Sequence, residues 1–390
     1  MIKVLFLSAW YPNRYDAMAG LFVRKHAEAV SRYCQVQVLY VHGDKNISEI
    51  EVVKDRFNQV DEYIVYFPEK QKGILRRVYK IFSYIKAVQK GFRIIKKTSG
   101  LPDIVHVNIL TRSGILAYFL KNSNDIPYVI TEHWTRYLPS RNSFNGFFRK
   151  YITKVIVKNA SAVMPVSEDL KKSMLTHKLF NKNYYVINNV VEDIFFQQTR
   201  INISSKKTIL HISCFDDNQK NISGLLRSIK ELSTKRNDFK TVVVGTGIDY
   251  NMIKRYADEL NISKEILHFT GELPPEKVAK EFAKCDFFVM FSNHENSPVV
   301  ICESLCCGKP VISTNVGGIS ELLNESNGIL IPAGDEKILV EKIDFMLNHF
   351  QDFDGQAIQN EAGMKFSYER IGNDIESIYK KILNEIQPNY

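Results

Sequence analysis

The sequence predicts an α/β protein made of two doubly wound domains in series, each a mostly parallel sheet with helices on both faces. Short apolar runs rich in β-branched and aromatic residues alternate with helical stretches almost from end to end. Several of these runs are continuously apolar, as is typical of strands buried on both faces of a parallel sheet. At 390 residues the chain is also too long for one hydrophobic core of ordinary size.

The first half of the chain contains seven predicted strands with helices between them. The strands are residues 3–8, 36–41, 63–67, 103–108, 128–132, 162–166 and 185–188. The helices include residues 20–33, 74–97, 113–121, 144–158 and 168–178. The polar stretch "QQTRINISSKK", residues 197–207, then interrupts the pattern and predicts a linker. The first domain is therefore expected to span residues 1–196.

The same alternation resumes in the second half and predicts a second domain over residues 208–365. Its strands are residues 208–212, 240–244, 266–269, 286–291, 310–314 and 328–331, and helices follow at 335–350 and 364–386. We expect the two domains to face each other across a cleft, with a C-terminal helix (366–390) packing back toward the first domain. Ligands of open α/β sheets bind beyond the carboxyl ends of the strands, so the chemistry is expected in those loops.

The lengths of the apolar runs and the spacing of the cysteines indicate the cellular compartment of the protein. No apolar run approaches the ~20 residues that span a bilayer. Ala17-Met18-Ala19 imitates a signal-peptidase site, but Lys3 and Pro12 favour a first strand and its loop. The six cysteines form no C-x-x-C pair, which favours a reduced, cytoplasmic location and argues against a zinc site.

The net charge of +9 is concentrated in the first half of the chain. Ten basic residues between Lys70 and Lys97 are interleaved with apolar residues three or four apart. Residues 141–158 repeat the mixture of cations and aromatic residues. Such basic amphipathic helices are typical of proteins that bind an anionic membrane surface, although a solvated helix face gives the same pattern. No helix-turn-helix, aromatic RNA-binding or zinc signature supports nucleic acid as the partner.

The segment "HENSPVVICESLCCGKP" places two glutamates, Glu295 and Glu303, on either side of seven residues. The apolar run 286–291 predicts a strand, and Pro298 suits the first turn of the helix that follows. Free N–H groups at a helix start favour an anion such as a diphosphate. Carboxylates on both sides of that start could bind the hydroxyls of a nucleotide-sugar. A capping acid beside an unrelated surface acid is the alternative. The paired glycines of the following "NVGGISEL" allow close backbone approach or positive φ.

The stretch "SNHENSPVVICESLCCGKPVISTNVGGISEL" resembles the donor-site signature of glycosyltransferase family 4, whose hallmark is two glutamates separated by seven residues. The resemblance extends over most of the chain. Weaker matches arrive in the family's order: "SAWYPNRYDAMAGLFVRKHAEAV", "PDIVHVN", "YVITEHW", "YYVINNVVEDIF", "ILHISCFDDNQKNISGLLRSI" and "VVVGTG". The family's members are retaining enzymes with the GT-B fold, and many act in bacterial surface-polysaccharide synthesis. The resemblance therefore implies this fold and this activity.

The resemblance also assigns roles to individual residues. Glu295 would contact the transferred sugar, Glu303 the ribose, and Lys220 the donor diphosphate. Gly20 would face the phosphates with its backbone, and His133 would lie near the sugar. The donor-binding set also includes Asn296, Ser297, Pro298 and Val299. His106 lies on a predicted buried strand and is interpreted as structural.

The chain departs from the family at one position. Family members carry an arginine about five residues before the lysine, whereas this chain reads Cys214-Phe215-Asp216-Asp217. Another basic residue such as Arg24, or the helix amides, would then have to supply the charge. The departure keeps open a catalytically weak or non-enzymatic scaffold that binds nucleotide-sugar or membrane.

The implied reaction is transfer of a sugar from a UDP- or GDP-linked donor to a hydroxyl of a glycan, with retention at the anomeric carbon. The acceptor is expected to be lipid-linked, on a polyprenyl diphosphate at the inner membrane leaflet, where the basic helices would attach the protein peripherally. Asp216 and Asp217 of the predicted donor segment are adjacent and do not form a D-x-D motif, so no obligatory metal and no other cofactor is expected. An epimerase or phosphorylase of similar shape is disfavoured by the glutamate pair.

Overall fold

The computed structural model describes residues 1–69, 74, 76–110, 112–139, 141, 143–198 and 206–386. The chain divides into two compact units. Unit 1 contains Met1–Val166, Lys171–Val190 and the chain from Tyr368 onward, and unit 2 contains Ser167–Leu170 and Val191–Ser367. Unit 2 thus begins before the predicted linker at 197–207 and includes a short excursion of the chain at 167–170. The final helix belongs to unit 1, as expected.

Unit 1 is a seven-stranded sheet in the order β3-β4-β2-β1-β5-β6-β7. The strands are β1 (Lys3–Ser8), β2 (Gln35–Asp44), β3 (Glu51–Phe57), β4 (Val60–Pro68), β5 (Ile104–Asn108), β6 (Tyr128–Glu132) and β7 (Ala162–Pro165). The helices are α1 (Leu21–Ser31), α2 (Arg76–Ser99), α3 (Arg112–Asn124), α4 (Phe147–Asn159), α5 (Glu168–Thr176) and α14 (Tyr368–Ile386). The first residues of α5 belong to unit 2. All strand pairs are parallel except β3 with β4.

Two sequence predictions in unit 1 need correction. Strand β3 was not predicted, because its sequence EVVKDRF is charged and lies at the exposed sheet edge. The strand predicted at 185–188 is wrong: this segment runs beside β7, where the N–H groups of Tyr185 and Ile187 donate to Val163 and Pro165, but it forms no ladder. The other six predicted strands are confirmed.

Unit 2 is a six-stranded parallel sheet in the order β10-β9-β8-β11-β12-β13. The strands are β8 (Lys207–Ile212), β9 (Phe239–Val244), β10 (Leu267–Gly271), β11 (Phe287–Met290), β12 (Val311–Thr314) and β13 (Gly328–Ile331). The helices are α6 (Asp193–Phe196), α7 (Asp217–Lys220), α8 (Ile222–Ser233), α9 (Tyr250–Glu259), α10 (Pro275–Lys284), α11 (Val299–Cys306), α12 (Glu336–His349) and α13 (Gly355–Phe366). All six predicted strands are confirmed, with ends that differ by one or two residues.

The C-terminal helix α14 is part of the core of unit 1. The helical stretch predicted over 364–386 breaks at Ser367, where α13 ends and α14 begins. Helix α14 packs on α1 at Gly372, where a Cβ atom would lie 2.3 Å from the carbonyl oxygen of Ala29. On β5, His106 bonds Tyr379 of α14 at 2.5 Å and Thr131 at 2.6 Å, and it is fully buried. This geometry agrees with the structural interpretation of His106.

The cysteines of the chain are unpaired thiols, and five of the six are buried. The Sγ atom of Cys307 donates to the carbonyl of Phe195, and burial raises the pKa of Cys285 to about 12. Packing as small apolar groups therefore accounts for the buried cysteines. Within the part of the chain that the structure describes, no helix is both long and apolar enough to span a membrane.

Candidate active site

The candidate donor site of unit 2 centres on an ion pair between Lys220 and Glu295. The Nζ atom of Lys220 lies 2.6 Å from Oε1 of Glu295, and the two side chains are only 13% and 8% exposed. The hydroxyl of Ser292 donates to the same carboxylate oxygen at 2.8 Å. Burial by itself lowers the pKa of Lys220, but the Glu295 carboxylate outweighs burial and holds that pKa above its usual range. The lysine is therefore a cation, and its charge is directed at Glu295.

Two loops at the carboxyl edge of the sheet bring this pair together. Lys220 ends α7, which follows β8, and Glu295 lies in the loop between β11 and α11. The carbonyl of Gln219 accepts from the N–H groups of Asn293 at 2.8 Å and His294 at 3.3 Å. Strands β8 and β11 are neighbours in the sheet, so their loops emerge side by side. The sheet order therefore positions residues that are 75 apart in the sequence.

The paired glycines predicted to allow close approach do so against the Glu295 loop. Gly317 has φ of +55°, and a Cβ atom there would lie 2.1 Å from the carbonyl oxygen of Glu295. The N–H of Gly318 donates to the carbonyl of Asn296 at 2.8 Å, and the side chain of Asn296 accepts from Ser167 at 2.9 Å. The glycines thus brace the backbone that carries Glu295.

Helix α11 carries the second glutamate of the pair. Pro298 is the N-cap residue and Val299 the first helical residue, one position later than the sequence suggested. Glu303 lies one turn into the helix and is 7% exposed. Together with Asn296 and Ser297, these residues form one continuous segment from loop to helix, as the donor-site prediction requires.

The position at which relatives carry an arginine has no cation in this protein. Phe215 is fully buried in the hydrophobic core. The carboxylate of Asp216 caps α7, and that of Asp217 accepts from the N–H of Ser223 at 2.8 Å. Arg24, the compensating cation considered above, forms a bidentate pair with buried Glu62 at 2.8 and 2.9 Å. The contacts of Arg24 therefore give no support to that compensating role.

Gly20 and His133, the other two predicted site residues, belong to unit 1. Gly20 precedes α1 with φ of +62°, and a Cβ atom there would lie 2.4 Å from the backbone of Trp10. His133 follows β6 and packs on Phe22 and His26. Burial lowers the pKa of His133 well below its usual value, as do the neighbouring histidines. The imidazole is therefore neutral at pH 7.

Glu132 is a positioning residue that the sequence did not single out. Its buried carboxylate accepts from the N–H groups of His133 and Trp134, both at 2.9 Å, and from that of Leu110 at 3.0 Å. Burial raises its pKa, and these three N–H bonds oppose that rise. The residue fixes the loops that follow β5 and β6. Its place at the end of a predicted strand was the one available signal.

Two family models match the chain. The model described as Glycosyltransferase Family 4 matches residues 22–193, and the one described as Glycosyl transferases group 1 matches residues 193–360. Together the two matches extend over most of the chain. This protein belongs to glycosyltransferase family 4, and its two parallel-sheet units are those of the GT-B fold.

Individual relatives agree with this assignment. The chain is 27% identical to the N-acetyl-alpha-D-glucosaminyl L-malate synthase of Bacillus anthracis over 73% of this chain and 76% of the relative. It is 22% identical to the putative teichuronic acid biosynthesis glycosyltransferase TuaC of Bacillus subtilis over 88% of each. Among solved structures, the Anabaena protein HepE in complex with UDP matches with a TM-score of 0.72 and 16% identity, over 97% of this chain and all of HepE.

Proposed function

We propose that this protein is a retaining, metal-independent glycosyltransferase that moves a hexose or related sugar from a UDP- or GDP-linked donor to a glycan hydroxyl in cell-surface polysaccharide synthesis. The observation that carries the proposal is the buried Lys220–Glu295 pair at the carboxyl edge of the unit 2 sheet. The UDP in the HepE complex and the polysaccharide role in TuaC's name support the donor class and the pathway. The relatives' names differ in acceptor, so the acceptor must be argued from this chain.

Donor binding is proposed to exchange the partner of Lys220. Two anions, the Glu295 carboxylate and the incoming diphosphate, compete for one lysine that has no arginine beside it. Lys220 turns to the phosphate oxygens, and Glu295 is released to accept hydrogen bonds from the hydroxyls of the sugar. Glu303 binds the ribose from α11. No step of this exchange needs a metal ion, since Asp216 and Asp217 accept local backbone bonds.

The chemical step then follows on one face of the sugar. The bond between the anomeric carbon and the diphosphate oxygen breaks, and Lys220 stabilises the charge that develops on that oxygen. The acceptor oxygen bonds the same face, and its proton passes to the departing phosphate. The bond electrons leave with the nucleotide diphosphate, and the configuration is retained. This route requires no carboxylate nucleophile, and positioning supplies most of the rate.

A panel of nucleotide-sugars tests the proposal directly. We expect one UDP- or GDP-sugar to raise the melting temperature, because a ligand that binds only the folded state stabilises it by mass action. We expect the same donor to be hydrolysed slowly, and hydrolysis to be lost in Glu295→Ala. A non-enzymatic scaffold would show no difference between wild type and variant. A covalent glycosyl-enzyme trapped with a fluorinated donor would contradict the same-face route.

The partner exchange predicts opposite effects of Glu295→Gln on binding and on transfer. Removing the competing carboxylate should tighten UDP binding about three- to tenfold, roughly 0.7–1.4 kcal/mol. Transfer should fall at least about 100-fold, because an amide accepts the sugar hydroxyls more weakly than a carboxylate. Calorimetric titration with UDP and an initial-rate assay measure the two effects. Glu325→Gln, an exposed glutamate of the same unit, is the control, and weaker UDP binding in Glu295→Gln would contradict the exchange.

Peripheral attachment to an anionic membrane is the second part of the proposal, and exposed apolar side chains on unit 1 support it. The buried residues of α2 begin at Ser83 and include Ala87, Val88 and Ile95, so the first two turns of the helix carry no buried residue. Both α2 and α4 carry exposed apolar side chains, which we call the α2–α4 surface. They are Val78, Ile81, Phe82 and Ile85 on α2, and Phe147, Phe148, Tyr151 and Ile152 on α4. Basic residues of both helices accompany them. Ile74 is exposed, whereas Lys70 and Lys72 of the predicted basic run lie outside the described residues.

We expect the double variant Phe147→Ser, Phe148→Ser to lose at least tenfold of its binding to vesicles rich in anionic lipid. The two rings are 79% and 78% exposed. The change therefore removes apolar surface that would be buried in the membrane, and it leaves no cavity in the protein core. Co-sedimentation with phosphatidylglycerol-containing vesicles measures the partition. Phe180→Ser, which removes a 61% exposed ring elsewhere in unit 1, is the matched control. Equal binding of wild type to zwitterionic and anionic vesicles would contradict the attachment.

A further inference from the structure

A cavity of about 620 Å³ lies at the carboxyl ends of β1 and β2 in unit 1. Its size is in the range of sites that bind small molecules. The wall is formed by the loop after β1, by Tyr40–Gly43 of β2, by the loop after β6, and by α2, α3 and α4. Aromatic side chains line it, among them Trp10, Tyr84 and Trp134. These residues belong to none of the sites predicted from the sequence.

The charge of this cavity is unbalanced. Lys80, Arg112, Arg136 and Arg149 line it, and Glu69 is the one carboxylate among its described lining residues. Glu69 pairs with Lys80 at 2.6 Å and with Arg76, which is not a lining residue, at 3.8 Å, so it neutralises none of the three arginines. Within the described chain, the three arginines form no ion pair with a carboxylate. Three guanidinium groups therefore line the cavity without an ion-pair partner among the described residues.

Arg136 is held in place for such a role. Its guanidinium stacks over the ring of Trp134, 3.0 Å from the ring centroid, and its Nε atom is buried without a hydrogen-bond partner among the described residues. Burial lowers the pKa of Arg136, and the charge of Arg149 also lowers it, whereas Tyr137 and the buried Glu132 carboxylate oppose that fall. Two neighbouring cations repel each other, and an anion that binds between them stabilises both charges. Trp134 is itself fixed by the buried carboxylate of Glu132.

The cavity also has an apolar exit. Ile115 on α3 and Ile152 on α4 both line the cavity and are 50% and 42% exposed to solvent. Ile152 is part of the α2–α4 surface. A ligand bound at the arginines can therefore extend along apolar side chains toward the surface proposed to contact the membrane.

We propose that this cavity binds an acceptor with a phosphate or diphosphate group joined to an apolar chain, the phosphates at Arg112, Arg136 and Arg149 and the chain leaving past Ile115 and Ile152. The proposal rests on the proposed sugar transfer, since it identifies the acceptor of that reaction. Guanidinium forks match phosphate oxygens with paired hydrogen bonds, whereas a neutral glycan would leave the three charges unpaired. The apolar exit would be unused by a wholly soluble anion.

Intrinsic tryptophan fluorescence reports on this cavity. The protein contains two tryptophans, Trp10 and Trp134, and both line the cavity. The probes are inorganic pyrophosphate and farnesyl diphosphate, titrated at constant ionic strength. We expect a saturable change with both, and at least tenfold tighter binding of farnesyl diphosphate because its chain covers the isoleucines. In the double variant Arg112→Ala, Arg149→Ala we expect the affinities for both probes to fall at least tenfold. The control is the double variant Arg93→Ala, Lys97→Ala, which changes an exposed pair on α2 and should bind both probes as tightly as wild type does.

The outcomes separate this inference from the proposed function. A wild-type protein whose fluorescence responds to neither probe would overturn the cavity assignment. Farnesyl diphosphate binding no tighter than pyrophosphate would overturn the amphiphilic acceptor and indicate a soluble phosphate compound. UDP binding measured by calorimetry reports on the donor site of unit 2, so its absence in wild type would count against the proposed function alone. Retained UDP binding in the double-arginine variant, with loss of both probe affinities, would support two separate sites.

Discussion

Replacing Lys220 with methionine is expected to reduce sugar transfer by roughly 200- to 1,000-fold, the largest effect on activity that we predict. The family resemblance implies a diphosphate shared between an arginine and a lysine, whereas this chain has buried Phe215 in the arginine's position. The departing diphosphate is thus left with one side-chain cation at this position. Losing a preorganised charge at the leaving group costs about 3–4 kcal/mol of transition-state stabilisation in comparable sites. Initial rates with the donor found by the nucleotide-sugar panel measure the effect.

The same variant should also unfold more readily, and the two effects must be separated. Lys220→Met leaves Glu295 as a buried carboxylate without its cation, which costs about 3 kcal/mol or more of folding stability. In Lys220→Met, Glu295→Gln the uncompensated charge is gone, so stability should return toward wild type while transfer stays lost. Urea denaturation and the rate assay together measure both. Lys230→Met, on the exposed face of α8, is the control.

Transfer within tenfold of wild type in Lys220→Met would contradict the assignment of Lys220 to the diphosphate. Transfer lost only in proportion to the unfolded fraction of Lys220→Met would show that lost stability, rather than the lost charge, had caused the defect.

The parallel sheets were predictable because each interior strand is a short, continuous apolar run between helices. The edge strand β3 was not, although the other edge strands, β7, β10 and β13, were. Strand β3 has alternating charges and pairs with only one neighbour, so its sequence resembles a loop. The segment 185–188 shows the opposite error: its apolar side chains serve packing beside β7 without a ladder. The local pattern of apolar residues predicts which side chains are buried, but it does not predict which backbone groups pair in a sheet. In these two segments burial and strand pairing do not coincide.

The donor signature was predictable because its residues are contiguous, from Glu295 through α11 to the paired glycines. The bond between Lys220 and Glu295 was not, since it joins residues 75 apart through neighbouring loops of the sheet. The cavity of unit 1 was also beyond the sequence, because Trp10, Arg112 and Trp134 follow three different strands. Charge pattern alone predicted basic helices but could not show that the N-terminal half of α2 leaves its apolar side chains in solvent.

Gly317→Ala is expected to lower the stability of the protein strongly. The left-handed φ of +55° costs a residue with a Cβ atom roughly 1–2 kcal/mol. The added methyl would also lie 2.1 Å from the carbonyl oxygen of Glu295, far inside contact distance, so backbone must move. We expect the free energy of unfolding to fall by at least about 3 kcal/mol. Chemical denaturation of wild type and variant measures the loss.

Comparison with Gly334→Ala separates the cost of a left-handed backbone from the cost of a clash with the added Cβ atom. Gly334 has a similar left-handed φ of +74°, but nothing lies within 4 Å of the atom that an alanine would add. It should therefore lose only the roughly 1–2 kcal/mol of backbone strain, and UDP binding should be unchanged. In Gly317→Ala the displaced backbone is the one that carries Glu295, so UDP affinity should change along with stability. Equal losses in the two variants, with UDP binding intact in both, would mean that the Gly317 contact with Glu295 does not position the donor site.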